Sequence, residues 1–424
     1  MSGQRQKPKG RNILLFSLFS LILGAVAGTI VWSVLRIMNL GTGLLWGTLP
    51  SLVGHPKLYT VGICLLGGLL IGLLQKKYGI LPENLEEVRG KLKSQGTYAY
   101  DRLHIIIIAA LLPLIFGGSL GPEAGLTGLI VGLCCWIGDR LKYKTAEVRD
   151  LAEAGMAATL GVIFNSPFFG IADNIEEKDD DGQGLLQNEN LKKAKLIVYV
   201  AGIIGGFSTM MGLKTLFGGG SGIPRFDEGL TFSVENWKWF LLFVFAGVFC
   251  GLLYVVLDKL TGLMAKPLQK YRVLSCIAGG AFLGIIGLCF PLTMFSGEHE
   301  FILVMDTWES IPPLSLLLTA VGKILLINLC LNFGWRGGNI FPLIFAGVAM
   351  GYFLVSFTGV APIFGVAVTV ATLCGYIMRK PLAVVAVLFL CFPVRVVIPL
   401  ALAAFMGSII PIPWNEKKKE KCGK

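Results

Sequence analysis

The stretch Gly117-Gly118-Ser119-Leu120-Gly121-Pro122-Glu123-Ala124-Gly125 sits between two apolar runs, Leu103 to Phe116 and Leu126 to Ile137. Together the flanks are long enough to cross a bilayer, yet glycines, a proline and one carboxylate interrupt them. In hydrocarbon, an unpaired backbone amide or carbonyl costs on the order of 2–7 kcal/mol. Irregular backbone at membrane depth therefore lines a polar cavity or an ion site. Glu123 is the first candidate functional residue, because a carboxylate inside a membrane segment has few purely structural explanations.

The rest of the chain supports a bilayer setting. Of its 424 residues, 54% are hydrophobic and 15% charged, against about 25% charged in an average soluble chain. Mean hydropathy is +0.72. Apolar segments recur at 12–38, 58–75, 103–137, 151–172, 196–217, 238–264, 272–296, 315–335, 339–378 and 381–412. That is too many for an anchored soluble domain, so the expected fold class is an all-α polytopic membrane protein in a lipid bilayer. The 55 glycines suit helices that approach closely and break where needed. The segment starting at Asn12 is too long for the apolar core of a signal peptide and lacks a small-residue cleavage site, so it is kept as a span.

Charge placement sets the expected orientation. Arg5, Lys7, Lys9 and Arg11 precede the first span, and Lys417, Lys418, Lys419, Lys421 and Lys424 follow the last. By the positive-inside rule both termini are expected in the cytoplasm, as basic tails (1–12 and 413–424) around a transmembrane domain at 13–412. Much of the net charge of +11 falls in these tails and in loops such as Lys76-Lys77 and Lys142–Lys144. Since the clusters have this topological reason, no nucleic-acid partner is expected. The ten cysteines show no metal-ligand spacing and there are three histidines, His55, His104 and His299. Neither a cofactor, a metal nor an enzymatic activity is expected from such a set.

Two polar stretches interrupt the apolar pattern. Residues 76–102, with Pro82-Glu83 and Glu86-Glu87, predict a short amphipathic helix, whereas 173–195, rich in Asp and Glu, predict a solvated cytoplasmic loop. No appended cytoplasmic domain is expected after Trp414. His104 and Trp32, Trp46, Trp237 and Trp239 suit the membrane interface. Lys323 and Arg336 flank a later Gly-rich break and either draw anions toward it, pair with a carboxylate or snorkel to the interface.

That later break exposes an internal symmetry. Gly121-Pro122-Glu123 precedes Ile163-Phe164-Asn165-Ser166-Pro167-Phe168, with 45 residues from Pro122 to Pro167. Gly337-Gly338-Asn339-Ile340-Phe341-Pro342 precedes Ile377-Met378-Arg379-Lys380-Pro381-Leu382, with 39 residues from Pro342 to Pro381. Corresponding broken segments in two halves, about 13–217 and 238–412, are the mark of a repeat transporter with its site at the repeat junction. A Gly-rich turn followed by a helix start presents free amides and the positive end of the helix dipole, which stabilise an anion without a full positive charge. Glu123, on the first turn of such a helix, can put its own carboxylate where the anion would sit and leave when protonated.

These segments, in this order, resemble the CLC family of chloride channels and proton-coupled chloride transporters. Leu120 to Gly125 resembles the family's L-G-R-E-G-P segment, whose Glu is the external gate. Gly337 to Pro342 resembles its G-G-I-F-A-P segment, whose amides coordinate the anion. Phe164-Asn165-Ser166-Pro167 through Glu176-Glu177 resembles its F-N-A-P-L-A-G stretch ending in Glu-Glu, and Arg379-Lys380-Pro381-Leu382 its R-A-P-L segment. The resemblance spans about 13–412. It implies an inverted-repeat bundle of short, tilted and broken helices, a homodimer, and transport of chloride or another small anion gated by Glu123. Glu177, 54 residues beyond Glu123, falls where the family has its cytoplasmic proton-relay carboxylate. The anion-binding residues implied are Gly79, Ile80, Ala124, Asn339, Ile340 and Phe341. A passive voltage- or pH-gated chloride channel and a fluoride exporter stay open beside proton-coupled exchange.

The departures bear on which anion passes. Gly218-Gly219-Gly220-Ser221-Gly222-Ile223-Pro224 spells the family's G-S-G-I-P motif, but 98 residues after Glu123 rather than before it. Ser221 is thus expected in a surface turn between the repeats. Tyr78-Gly79-Ile80-Leu81-Pro82-Glu83 fills the upstream place, with Gly79 where the family has its Ser. No Tyr follows Tyr376, so a second family hydroxyl is missing too. Pro122 stands for an Arg and has no N–H, while Asn339 replaces an apolar residue.

Overall fold

A computed structural model of the protein describes residues 10–54, 58–140, 145–176, 189–219, 225–226 and 234–413. The first half contains α1 (Gly10–Thr42), α2 (Leu49–Val53), α3 (Tyr59–Tyr78), α4 (Leu85–Gln95), α5 (Leu103–Ile115), α6 (Glu123–Arg140), α7 (Thr145–Ile163), α8 (Pro167–Glu176) and α9 (Glu189–Phe217). The second contains α10 (Phe240–Ala265), α11 (Arg272–Cys289), α12 (Glu298–Thr307), α13 (Pro313–Asn332), α14 (Ile340–Thr358), α15 (Pro362–Met378), α16 (Pro381–Leu388) and α17 (Val397–Ile409). No strand occurs among the described residues; two isolated residues form a single β-bridge. Seven helical segments are long and apolar enough to cross a membrane, and α5, α15, α17 and part of α7 are shorter apolar pieces.

Four of the apolar segments read from sequence are each two helices. Residues 103–137 divide into α5 and α6, 151–172 into α7 and α8, 339–378 into α14 and α15, and 381–412 into α16 and α17. Glycine, asparagine or proline stands at each break, ending one helix and starting the next. The amphipathic helix expected within 76–102 is α4, opened by Asn84. The acidic stretch at 173–195 is not all loop: α8 continues to Glu176 and α9 begins at Glu189. Asp173 and Glu176 are helical because each has a partner, given below.

The helices repeat as a set. Packing of α1 on α7, α3 on α5, α4 on α6, α5 on α6, α6 on α7 and α7 on α9 recurs as α10 on α15, α11 on α13, α12 on α14, α13 on α14, α14 on α15 and α15 on α17. The turn bonds recur too. Phe116 N donates to Leu112 O, Gly117 N to Leu114 O and Gly118 N to Pro113 O; Phe333 N, Gly334 N and Trp335 N do the same to Leu329, Leu331 and Cys330. Gly117 and Gly334 both take left-handed φ, +86° and +96°, a conformation glycine adopts without strain. This register pairs Pro122 with Asn339, three residues away from the proline-to-proline match seen in the sequence. The later breaks match as well, with left-handed Asn165 (φ 52°) and Arg379 (φ 57°) before Pro167 and Pro381.

Three contacts join an element to its own counterpart and so lie on the axis relating the halves: α3 with α11, α8 with α16, and Gly121 with Gly338. In the first, Gly68 and Gly72 face the α11 backbone at Cys276 and Val273, and Gly280 and Gly284 face the α3 backbone at Cys64 and Val61. A Cβ at any of the four would collide, so small residues set the approach of these helices.

Candidate functional site

Two helix starts meet at the axis. Gly121 N donates to Gly338 O (2.7 Å) and Gly338 N to Gly121 O (2.8 Å), an antiparallel bridge between the two broken segments. From it α6 begins at Glu123 and α14 at Ile340. The first intrahelical bonds run from Leu126 N to Pro122 O and from Leu343 N to Asn339 O. The amides of Glu123, Ala124, Gly125, Ile340 and Phe341 precede them and have no intrahelical acceptor. Pro122 and Pro342 have no N–H, so each start presents fewer donors than an ordinary helix.

Glu123 is buried, with 2% of its surface exposed. Its Oε1 accepts from Ile340 N at 2.9 Å, and the Phe341 amide follows next along the same helix start. Its Oε2 is buried with no hydrogen-bond partner among the described residues. Among the described residues no Lys or Arg pairs with Glu123. The side chain leaves α6 and seats its negative charge on the start of α14, where a helix carries roughly +0.5 elementary charge. Gly121 and Gly338 wall the carboxylate so closely that a Cβ on either would overlap it. Thr127 Oγ1 donates to Glu123 O (2.6 Å), steadying the first turn of α6.

The other motifs converge here. The Phe164 ring stacks on Phe341 (centroids 4.6 Å apart, 14° between planes) and meets Phe169 edge-on at 4.8 Å. Buried Ser166 donates from Oγ to Ala386 O (2.5 Å), joining the start of α8 to α16. Ala124 is buried in the first turn of α6. Gly79 and Ile80 are exposed at the end of α3, with open space where a Gly79 side chain would lie. Next to them Pro82 approaches Gly125 on the first turn of α6. Glu177 and Ser221 lie outside the described residues.

Several residues do what the sequence did not suggest. Asp173, buried on α8, pairs with Arg89 of α4 and with Lys380, whose Nζ lies 2.8 Å from Oδ1. Glu176 caps α16: its two oxygens accept from Leu382 N and Ala383 N, each at 2.8 Å. Lys323 does not face a surface. It is fully buried and donates to Met294 O (2.7 Å) and Phe295 O (2.8 Å), while Phe295 N donates to Gly117 O (3.0 Å). Arg336 takes the pairing role that the sequence left open for it, reaching Glu87 of α4 at 3.5 Å. Trp46 donates to Ile115 O (2.9 Å), with its ring against Phe295 and the Gly117 turn. His104 is exposed at the start of α5. Tyr254 of α10, absent from the sequence reading, accepts from Asn339 Nδ2 at 3.1 Å. No group of three or more His, Cys, Asp or Glu able to hold a metal ion occurs among the described residues.

A sequence profile described as "voltage gated chloride channel" matches residues 63–411. The chain belongs to the CLC family. This CLC chain is similar to the protein named "Putative ion-transport protein YfeO" in Shigella flexneri, 28% identical over 358 residues that cover 82% of this chain and 80% of that protein. The protein of the same name in Escherichia coli K12 gives the same figures. A crystal structure of a CLC-type fluoride/proton antiporter superposes with a TM-score of 0.77 over 96% of this chain and 98% of that one, at 17% identity. A slow cyanobacterial Cl−/H+ antiporter superposes with a TM-score of 0.78 over 93% of each chain, also at 17% identity. The inverted-repeat bundle of short and broken helices is thus the CLC fold, and the family is one of ion transporters.

Proposed function

We propose that this CLC protein exchanges chloride or a similar small anion for protons across the cell membrane, with Glu123 as the gate. The observation that carries the reading is the seat of the Glu123 carboxylate on the Ile340 amide at the start of α14, with no Lys or Arg paired to it among the described residues. A halide makes the same demand on that amide as a carboxylate oxygen does. One site then serves two occupants in turn. While Glu123 is ionised, its carboxylate fills the place; once protonated, it loses its hold on the helix start and the anion takes over. Partial charges suit a permeating ion, because a full positive charge would retain it.

Ala124, Asn339, Ile340 and Phe341 would supply amides to the anion, and Gly79 and Ile80 would border its path toward the cytoplasm. Glu177 would receive protons from that side, with both termini also cytoplasmic. Exchange is favoured over passive conduction because both superposed structures are of proton-coupled antiporters, one for fluoride and one for chloride. The open space at Gly79 favours a second reading, a passive channel, since no side chain narrows the path there. Two chains are proposed to pair in the membrane, each with its own path.

Efflux from liposomes loaded with potassium chloride or potassium fluoride, followed with an ion-selective electrode, tests the reading. Release of at least one anion, faster at acid pH because protonation vacates the site, is the expected result. Glu177→Gln should leave anion release in place and stop proton movement. Ser221→Ala should change nothing; altered anion preference would move the site to the 218–224 turn. No release of either anion by folded protein at any pH would contradict the function.

A further inference from the structure

Two asparagines stand at helix starts around this site, and they are held in opposite ways. Asn84 closes the start of α4 with a complete capping box: its Oδ1 accepts from Glu87 N (2.8 Å), and Glu87 Oε2 accepts from Asn84 N (2.9 Å). Asn339 stands just before α14 and makes no side-chain bond to its own helix. Its Nδ2 donates instead to Tyr254 Oη, 85 residues away on α10. The backbones differ to match, extended at Asn84 (ψ 167°) and near-helical at Asn339 (ψ −6°). Tyr254 is itself anchored, its carbonyl accepting from Asn328 Nδ2 of α13 at 3.3 Å.

The consequence lies in which amides stay open. An asparagine at a helix start ordinarily turns back and accepts from the amides two or three residues on. Beyond Asn339 the third residue is Pro342, which has no N–H, so the amide within reach is that of Phe341. That amide follows directly on the Ile340 amide that holds Glu123 Oε1. A freed Asn339 side chain would compete with a passing anion for this donor.

We propose that Tyr254 is a positioning residue for anion binding: its hydroxyl tethers the Asn339 side chain off the first turn of α14 and keeps the Phe341 amide open. The inference rests on the anion-transport reading and adds a residue to its site. Anion binding to purified, detergent-solubilised protein carrying Glu123→Gln, titrated calorimetrically with sodium chloride and with sodium fluoride, removes competition from the carboxylate. Adding Tyr254→Phe should weaken binding about fivefold, the size of an ordinary asparagine cap. Adding Asn339→Gly as well should restore the affinity, because the released cap is gone while the backbone amide remains.

Weakened binding that Asn339→Gly does not restore would show the hydroxyl itself to be a ligand and overturn the inference. Unchanged binding in Tyr254→Phe overturns it as well. A parent that binds neither ion contradicts the transport reading, and this inference with it.

Discussion

Two carboxylates in this molecule sit on the starts of helices from the opposite half, and they are held differently. Glu176, at the end of α8, gives one oxygen to each of two α16 amides and lies close to the Asp173–Arg89–Lys380 ion cluster. Glu123 bonds α14 through Oε1, leaves Oε2 buried without a partner, and lies between two glycines. The first is an anchored cap. The second is a charge seated in a place that fits it incompletely, and an unmatched buried oxygen is a standing reason to leave. The same element of physics, a helix start opposite a carboxylate, thus serves as a fastener in one region and a replaceable occupant in the other.

The sharpest way to break the contrast is Gly338→Ala, whose Cβ would occupy the space of the Glu123 carboxyl. With the shared seat filled, neither the carboxylate nor the anion can use it, so anion flux should fall steeply at every pH; undiminished, pH-dependent flux would mean that the seat lies elsewhere. Next in size is Asp173→Asn, which removes the buried carboxylate that Arg89 and Lys380 share. Breaking a buried pair costs about 3–5 kcal/mol, so thermal unfolding in detergent should begin well below wild type. Glu176→Gln should cost only about 1 kcal/mol, the worth of a helix cap, and keep proton-coupled flux. Loss of coupling in that variant would erase the distinction between the two carboxylates. Smallest is Ser166→Ala, which removes one bond to Ala386 O worth about 1 kcal/mol and should lower stability without altering anion preference.

Much of this arrangement is legible in the sequence because the breaks are local. Gly117 to Gly125 and Gly337 to Pro342 announce themselves by interrupting apolar runs, and the carboxylate stands out against hydrocarbon. The register between the halves is less legible, since prolines draw the eye to a match that backbone bonds place three residues away. Asp173 and Glu176 read as loop because their partners, Arg89, Lys380 and the α16 amides, are remote in sequence. Lys323 likewise looks like an anion attractor until its two carbonyl acceptors, 28 and 29 residues earlier, are seen. Tyr254 gives no local signal at all. A tyrosine in an apolar helix is ordinary, and only the fold brings it to Asn339.

The claim that one seat on α14 alternates between Glu123 and the anion is tested most directly by recording anion and proton flux together in liposomes. With an outward chloride or fluoride gradient and no pH gradient, the wild-type protein should drive protons inward as the anion leaves. Glu123→Gln should keep the anion flux and abolish the proton flux. Undiminished proton uptake in the Glu123→Gln protein would contradict the claim.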